Sequence, residues 1–355
     1  MKEVRANFLQ IFGITGSLDG DMFLQYQYTE KKILKVFLEK NKEGLYEVKV
    51  DFSKDFNELF EMLENRSKEI HNHPDPILEL TEREIKEFFN DKTDVVYIPA
   101  GRSMITLLSN QMNYIYSSMD DIQKRNMDYC TRSYLEKILQ MKSVFTISPV
   151  EMLNDVIAMT YIKIDEERAK ESISLMKQLL QGEYINKDGE ERLQVSNNRY
   201  VKLNYASSGQ QEVVWILNVL FYYLLNGEST YFIIEEPESH LFPNSQKLVM
   251  EFIALVCNGN GNQLFLTTHS PYILGTINNL LYADKVSRNV DKSELNRIIS
   301  KNKWLNFDKV NAIFVQNGKI KSCLDKEFKS IENEVIDGAS EQINEDYDKM
   351  LELKG

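Results

Sequence analysis

Two adjacent carboxylates, Glu235 and Glu236, follow four apolar residues, Tyr231 to Ile234, and precede Pro237. The apolar run reads as a buried strand, with the acids at its carboxyl end. Ligands of open α/β sheets bind in the crevice beyond the carboxyl ends of the strands. Paired acids in that place suit Mg²⁺ and a polarised water. Taken alone, the pair also suits a strand that simply ends in a solvated turn. Two further stretches bear on the choice. Ala206-Ser207-Ser208-Gly209-Gln210-Gln211-Glu212 stands before the apolar run Val213 to Leu225, which reads as a buried helix. Small residues at a helix start expose N–H groups and hydroxyls, and the helix dipole favours an anion there. Leu264 to Thr268 is a second apolar strand, followed by His269, Ser270 and Pro271, with the proline starting a helix. On its own His269 suits a structural histidine; in this order the three stretches form one constellation.

The elements that must position these residues can be read in chain order. Lys2 to Phe12 is a short mixed segment that suits the end of a helix. Asp21 to Phe52 alternates in the manner of antiparallel strands, with Asn41 to Gly44 as a turn. Phe56 to Arg66 and Leu78 to Asn90 are predicted helices, the second with Thr81 and Glu84 as a capping box. Between them, His71-Asn72-His73 has the spacing of two metal ligands without a third nearby, and also suits a plain loop. Asp94 to Pro99 is an apolar strand that turns off at Ala100-Gly101-Arg102-Ser103; Arg102 either faces a ligand or a dimer partner, or pins the turn. Met104 to Leu180 is polar, Met-rich and helical in pattern. Short strands over Glu183 to Leu203, turning at Asp188-Gly189, deliver the chain to Ala206.

After Pro243, Leu248, Val249, Phe252, Ile253 and Val256 recur at helical spacing, and Asn258-Gly259 stops the helix. With the strand Gln263 to Thr268 this makes a strand–helix–strand unit, hence a parallel pair. Leu280 to Val286 reads as a returning strand. Lys285 to Lys303 carries six cations and is the candidate nucleic-acid contact, against the alternative of a solvated helix face. Val310 to Cys323 reads as a hairpin turning at Asn317-Gly318, and the acidic stretch Glu327 to Leu353 as one or two closing amphipathic helices.

The 355 residues, 43% hydrophobic and 27% charged, suffice for a sizeable core. A net charge of −12 argues against coating nucleic acid by bulk electrostatics. Cys130, Cys257 and Cys323 lack metal-type spacing and suit free thiols in a reducing cytoplasm. Met1 to Leu18 lacks the apolar core of a signal peptide, and no run reaches the ~18 apolar residues of a membrane span. No long heptad array is present, which argues against a coiled-coil arm.

Taken together, the three stretches resemble ABC-type ATPase heads of the RecF and OLD-like group, above all stand-alone bacterial AAA-family ATPases of the OLD-like kind. In that resemblance Ala206 to Gln210 matches the signature motif, Ile233 to Pro243 the Walker B strand with its catalytic glutamate and D-loop region, and Leu266 to Pro271 the switch histidine. The resemblance implies an α/β fold: an ABC-ATPase-like P-loop NTPase head with a parallel core sheet, an antiparallel β subdomain and an inserted helical lobe. The implied division is 1–102 and 199–355 for the two parts of the ATPase lobe and 103–198 for the helical lobe. The implied cofactors are ATP and Mg²⁺. Ser207, Ser208, Gly209 and Gln210 would bind the nucleotide of an opposing head, Glu235 would hold the metal, Glu236 would polarise the attacking water, and His269 would sense the γ-phosphate. The implied partners are a second copy, as a homodimer or ATP-dependent head-to-head dimer, and an effector protein in DNA transactions or phage defence; nucleic acid is a weaker expectation and a membrane is not expected. A transporter ATPase is a weaker resemblance.

The chain departs from the family in one respect. A P-loop, G-x-x-x-x-G-K-[ST], cradles phosphates with backbone N–H groups and a lysine. No Gly-Lys-Ser or Gly-Lys-Thr occurs here, and neither Gly13 to Ser17 nor Gly259 to Gly261 carries the lysine. The expectation is a head whose P-loop segment is missing by truncation, is supplied by another chain, or is lost in a non-catalytic scaffold. These residues alone are then expected to hydrolyse ATP weakly or not at all.

Overall fold

Alternation in the early part of the chain produces a three-stranded antiparallel meander, β1 (Phe23–Gln27), β2 (Ile33–Lys40) and β3 (Tyr46–Phe52), in that spatial order. The computed structural model describes residues 23–44, 46–69, 74–91, 93–104, 106, 114, 117–120, 129–159, 164–332 and 334–353. The chain divides into two compact units, 1–93 with 120–132, and 94–119 with 133–355. In the first unit the period-2 pattern turns Val36 and Val50 inward, with Leu34, Val48 and Phe52 packed on them. Helices α1 (Lys54–Glu69) and α2 (Pro74–Phe89) follow. Phe56 meets Phe52, Phe88 and Phe89 ring to ring, at 5.0 to 5.8 Å.

The second unit is built on a parallel sheet. β4 (Asp94–Ile98) comes first; the chain returns along α3 (Tyr129–Met141), which enters this unit at Ser133, and continues into α4 (Pro149–Ala158) and α5 (Glu166–Leu180). An antiparallel meander follows, β5 (Glu183–Lys187), β6 (Glu190–Ser196) and β7 (Arg199–Lys202). Then come α6 (Ser208–Asn226), β8 (Thr230–Glu235), α7 (Pro243–Cys257), β9 (Gln263–Thr267) and α8 (Pro271–Val286). The sheet order is β4-β8-β9, both pairs parallel. All three strands therefore end on the same side, as the strand–helix–strand reading requires.

Helix α6 is the core element. Ser207 caps it in a capping box with Gln210, and Gly227 ends it at φ 71°. Its apolar residues occupy every face, so it can only be a buried helix. Trp215 is fully buried and packs edge-on against Tyr184, at 5.4 Å, and Phe145, at 6.3 Å. Tyr223 of α6 meets Phe232 of β8 at 5.8 Å.

The sheet is asymmetric. Val96, Ile98, Phe232 and Ile234 form one face and are at most 2% exposed. The opposite face carries Val95, Tyr97, Tyr231, Ile233 and Phe265 in register and ends in Glu235. On it Val95 is 63% and Phe265 48% exposed. Parallel sheets ordinarily bury both faces, so this half-open face beside the acids is unusual.

Several local expectations are corrected. Leu280 to Val286 is not a strand but the second half of α8, which runs unbroken from Pro271. A short apolar run has no period of its own to separate strand from helix. The Ser270 cap, accepting from the Tyr272 and Ile273 N–H groups, launches a helix that continues through Gly275 to Val286. Thr81 does not cap a helix but lies inside α2, which starts at Pro74; proline at the first turn outweighs the internal Thr-x-x-Glu pattern. His71 and His73 lie outside the described residues. The hairpin is present as β10 (Ile313–Gln316) and β11 (Lys319–Ser322), and the acidic end as a helix over Glu334–Leu353.

Candidate functional site

β8 delivers Glu235 and Glu236 to the end of the sheet in two different ways. Glu235 is the last strand residue. Its Oε1 accepts from the Tyr97 hydroxyl, at 2.7 Å, and its Oε2 from the Ala100 N–H, at 3.3 Å. The carboxylate is thus fixed by β4 and its turn. Glu236 leaves the strand at φ 42°, a region rarely occupied by a side-chain-bearing residue. Its N–H donates to Thr267 O at 3.0 Å, extending the β8–β9 ladder by one bond. Its Oε1 lies 3.4 Å from His269 Nε2 and its Oε2 accepts from the Ser239 hydroxyl. The Glu236 side chain is 39% and that of His269 86% exposed, so both reach solvent.

The support beneath them is buried. Arg102 is fully buried, and its guanidinium donates to the carbonyls of Glu235, at 2.7 Å, and Glu236, at 2.9 Å. Of the two sequence readings for Arg102, this geometry matches the arginine that pins the turn. Glu238 is buried as well. Its Oε1 accepts from the Thr268 hydroxyl, at 2.6 Å, and from the His269 N–H, at 2.8 Å, and so fixes the segment that presents His269. Ser270 donates to Gln246 of α7 and caps α8, holding the two helix starts together.

The start of α6 comes against the same turn. A Cβ built on Gly209 would lie 2.8 Å from His240 O and 3.1 Å from Leu241 Cδ2. Glycine is therefore required for a close backbone approach. Ser207 and Ser208 are exposed, and the Ser207 hydroxyl accepts from the Gln210 N–H while donating to Gln210 Oε1. Gln210 Nε2 donates to Leu180 O. Among the described residues no hydrogen bond joins Ser207 or Ser208 to Glu235, Glu236 or His269. Replacing Gly209 with alanine is expected to cost about 1–3 kcal/mol by overpacking, read as a lower urea midpoint with an unchanged m-value.

Of the six cations in the basic stretch one is buried, while Lys285, Arg288, Lys292, Arg297 and Lys301 are exposed. Lys303 is buried between Glu251, at 2.8 Å, and Glu171, at 3.2 Å; Lys301 faces Glu167, and Lys285 donates to Phe328 O. Arg288 lies 4.0 Å from Asp284. Tyr97, Glu212 and Glu238, to which the motifs gave no role, hold Glu235, Arg102 and the His269 N–H respectively. Glu212 carried a signal, since an acid that opens a wholly apolar helix needs a buried partner.

Parallel strands that end in paired acids, with a histidine after the neighbouring strand, are compatible with the α/β core of a P-loop ATPase. A family model described as an AAA ATPase domain matches residues 21–274, and the chain belongs to that family. A comparison with curated proteins finds no match. The family reaction is ATP hydrolysis. Among the described residues no cluster of three or more His, Cys, Asp and Glu could hold a metal by itself. Glu235 nonetheless fits Mg²⁺, which commonly binds one or two carboxylates together with substrate phosphates and water. Among the described residues no helix is long and apolar enough to cross a membrane.

Proposed function

We propose that the chain is an ATP-dependent switch of the OLD and RecF-like kind, with each site shared by two copies. The observation that carries this reading is the unlike treatment of two adjacent acids. Glu235 is held through both oxygens, which orients a carboxylate for a metal, whereas Glu236 is partly exposed and faces His269. Bound Mg²⁺ would neutralise phosphate charge. Glu235 would hold that ion directly or through water. Glu236 would orient a water and take its proton, and His269 would face the transferring phosphoryl group. Catalysis of this type is positioning plus charge neutralisation.

Ser207 and Gly209 at the start of α6 would face the γ-phosphate held by the opposing copy, with Ser208 and Gln210 beside them. The first turn of a helix has N–H groups without intrahelical acceptors, which suits that role. Large side chains around both motifs support a two-copy site: Tyr205 is 77%, Phe242 83% and Tyr272 53% exposed. A setting in the cytoplasm, in DNA transactions or phage defence with an effector protein, follows from the OLD-like resemblance.

The lack of Gly-Lys-Ser or Gly-Lys-Thr favours one second reading, a non-catalytic dimerisation scaffold. Without that cradle, these 355 residues are expected to bind Mg²⁺-ATP no tighter than about 1 mM by calorimetry, or about −4 kcal/mol. At about 10 mM Mg²⁺-ATP, mass action is expected to bring the Glu236→Gln chain to a dimer in sedimentation. Micromolar binding would overturn the expectation of a weak grip. A nucleotide-independent dimer that binds no ATP at that concentration would overturn the switch in favour of the scaffold.

A further inference from the structure

The Arg102 side chain does more than close its own turn. Besides the carbonyls of Glu235 and Glu236, it donates to Pro99 O, and from Nε, at 3.1 Å, to Glu212 O in the second turn of α6. The Glu212 carboxylate returns the contact. It lies 3.3 Å from Arg102 Nε and accepts from the N–H groups of Arg102, at 3.0 Å, and Ser103, at 2.8 Å. Thr106 adds a hydroxyl bond to Gln211 O. Both members of the ion pair are at most 1% exposed. Such a pair is rigid, because moving either charge leaves the other buried and uncompensated.

The two ends of this link belong to different motifs. One end is the first turn and a half of α6, from Ser207 to Glu212. The other is the peptide that carries Glu236 at φ 42°. A backbone held in a sparsely populated region persists only where its surroundings restrain it, and Arg102 donates to the carbonyl on each side of that residue's N–H. We propose that Arg102 and Glu212 are positioning residues that tie the start of α6 to the backbone of Glu236. This rests on the two-copy reading above for its consequence: the α6 start serves one composite site and Glu236 the other, so the link couples the two sites inside each chain. Coupling of that kind needs two distinct sites and a physical element that both of them bias.

Amide hydrogen exchange of the full chain tests the link without nucleotide. In Arg102→Met, peptides covering 231–243 and 206–212 are expected to exchange about tenfold faster, while 248–256 in α7 keeps its protection. Unchanged exchange at 231–243, or an equal rise across α7, would overturn the link. Should Arg102→Met fail to fold, Glu212→Gln removes the charge and one acceptor at nearly constant shape. The same two peptides are expected to loosen in it, under the same criterion. Mg²⁺-ATP at about 10 mM supplies the second arm. Protection of both peptides in the unaltered chain, with only 206–212 protected in Arg102→Met, is the coupled result. Protection of both in the variant would overturn the coupling. ATP protection at neither peptide of the unaltered chain would overturn the functional reading and with it the coupling, while the nucleotide-free comparison decides the link itself.

Discussion

Glu236→Gln is expected to lower Mg²⁺-dependent ATP turnover by about 10²–10⁴-fold in any preparation of the chain that hydrolyses ATP, the usual contribution of a general base. The amide keeps the shape and can still accept from Ser239, but it cannot take a proton from water. Nucleotide affinity should change little, because Glu236 is partly exposed and its backbone contacts to Thr267 and Arg102 do not involve the carboxylate. Loss confined to kcat marks an interaction made only in the transition state. Glu235→Gln should behave differently. Its carboxylate already accepts from Tyr97 and Ala100, so the substitution should raise the Mg²⁺ concentration needed for half-maximal activity as well as lower the rate. Equal Mg²⁺ responses in the two variants, or a Glu236→Gln enzyme within about threefold of the parent, would overturn the division of roles.

Lys303→Met is expected to destabilise the chain by about 3–5 kcal/mol, among the largest effects of any single polar substitution here. The ammonium stands between Glu251 of α7 and Glu171 of α5, with side-chain exposures of 10%, 8% and 22%. Removing it leaves two carboxylates close together, with Lys247, 2.9 Å from Glu251, as the cation remaining beside them. Urea unfolding at neutral pH, followed by the fluorescence of Trp215 and Trp304, measures the loss. A pH series gives a second reading. Burial raises the Glu251 pKa, but hydrogen bonds from Lys303 and Lys247 outweigh it and hold the group below its usual value. A depressed folded pKa contributes stability above the unfolded value, near 4.3, and that contribution is lost as pH falls through the folded value. The parent should therefore lose stability on acidification below about pH 4.3, and Lys303→Met should lose less over the same range. A cost below about 1 kcal/mol would show that the triad is compensated elsewhere.

The surroundings of Lys303 also show where order along the chain stops being informative. Six cations between Lys285 and Lys303 look like one basic surface on paper. The partners of two of them, Lys301 and Lys303, are Glu167, Glu171 and Glu251, far back in the chain on helices that only packing brings alongside. Charge is countable in a sequence, whereas its compensation depends on distance in space. The mistaken strand over Leu280 to Val286 has a related cause, since the deciding cap lies ten residues upstream at Ser270. By contrast, the antiparallel meander, the strand–helix–strand unit from β8 to β9 and the buried α6 were legible. Each rests on a local period or a local cap.

The sequence by itself determined which residues could do chemistry. The order of apolar runs and of the Gly, Ser and Pro residues that bound them reads Glu235 and Glu236 at the end of a strand, Ser207 to Gln210 at the start of a buried helix and His269 after a second strand. Only the tertiary structure decided what each acid is free to do. Tyr97 and Ala100, 138 and 135 residues from Glu235, take up its oxygens, while Arg102 and Thr267 hold Glu236 in a left-handed turn that points it at His269. The physical reason is that a hydrogen bond acts over about 3 Å, and contacts between strands far apart in sequence exist only once the parallel sheet has set their register.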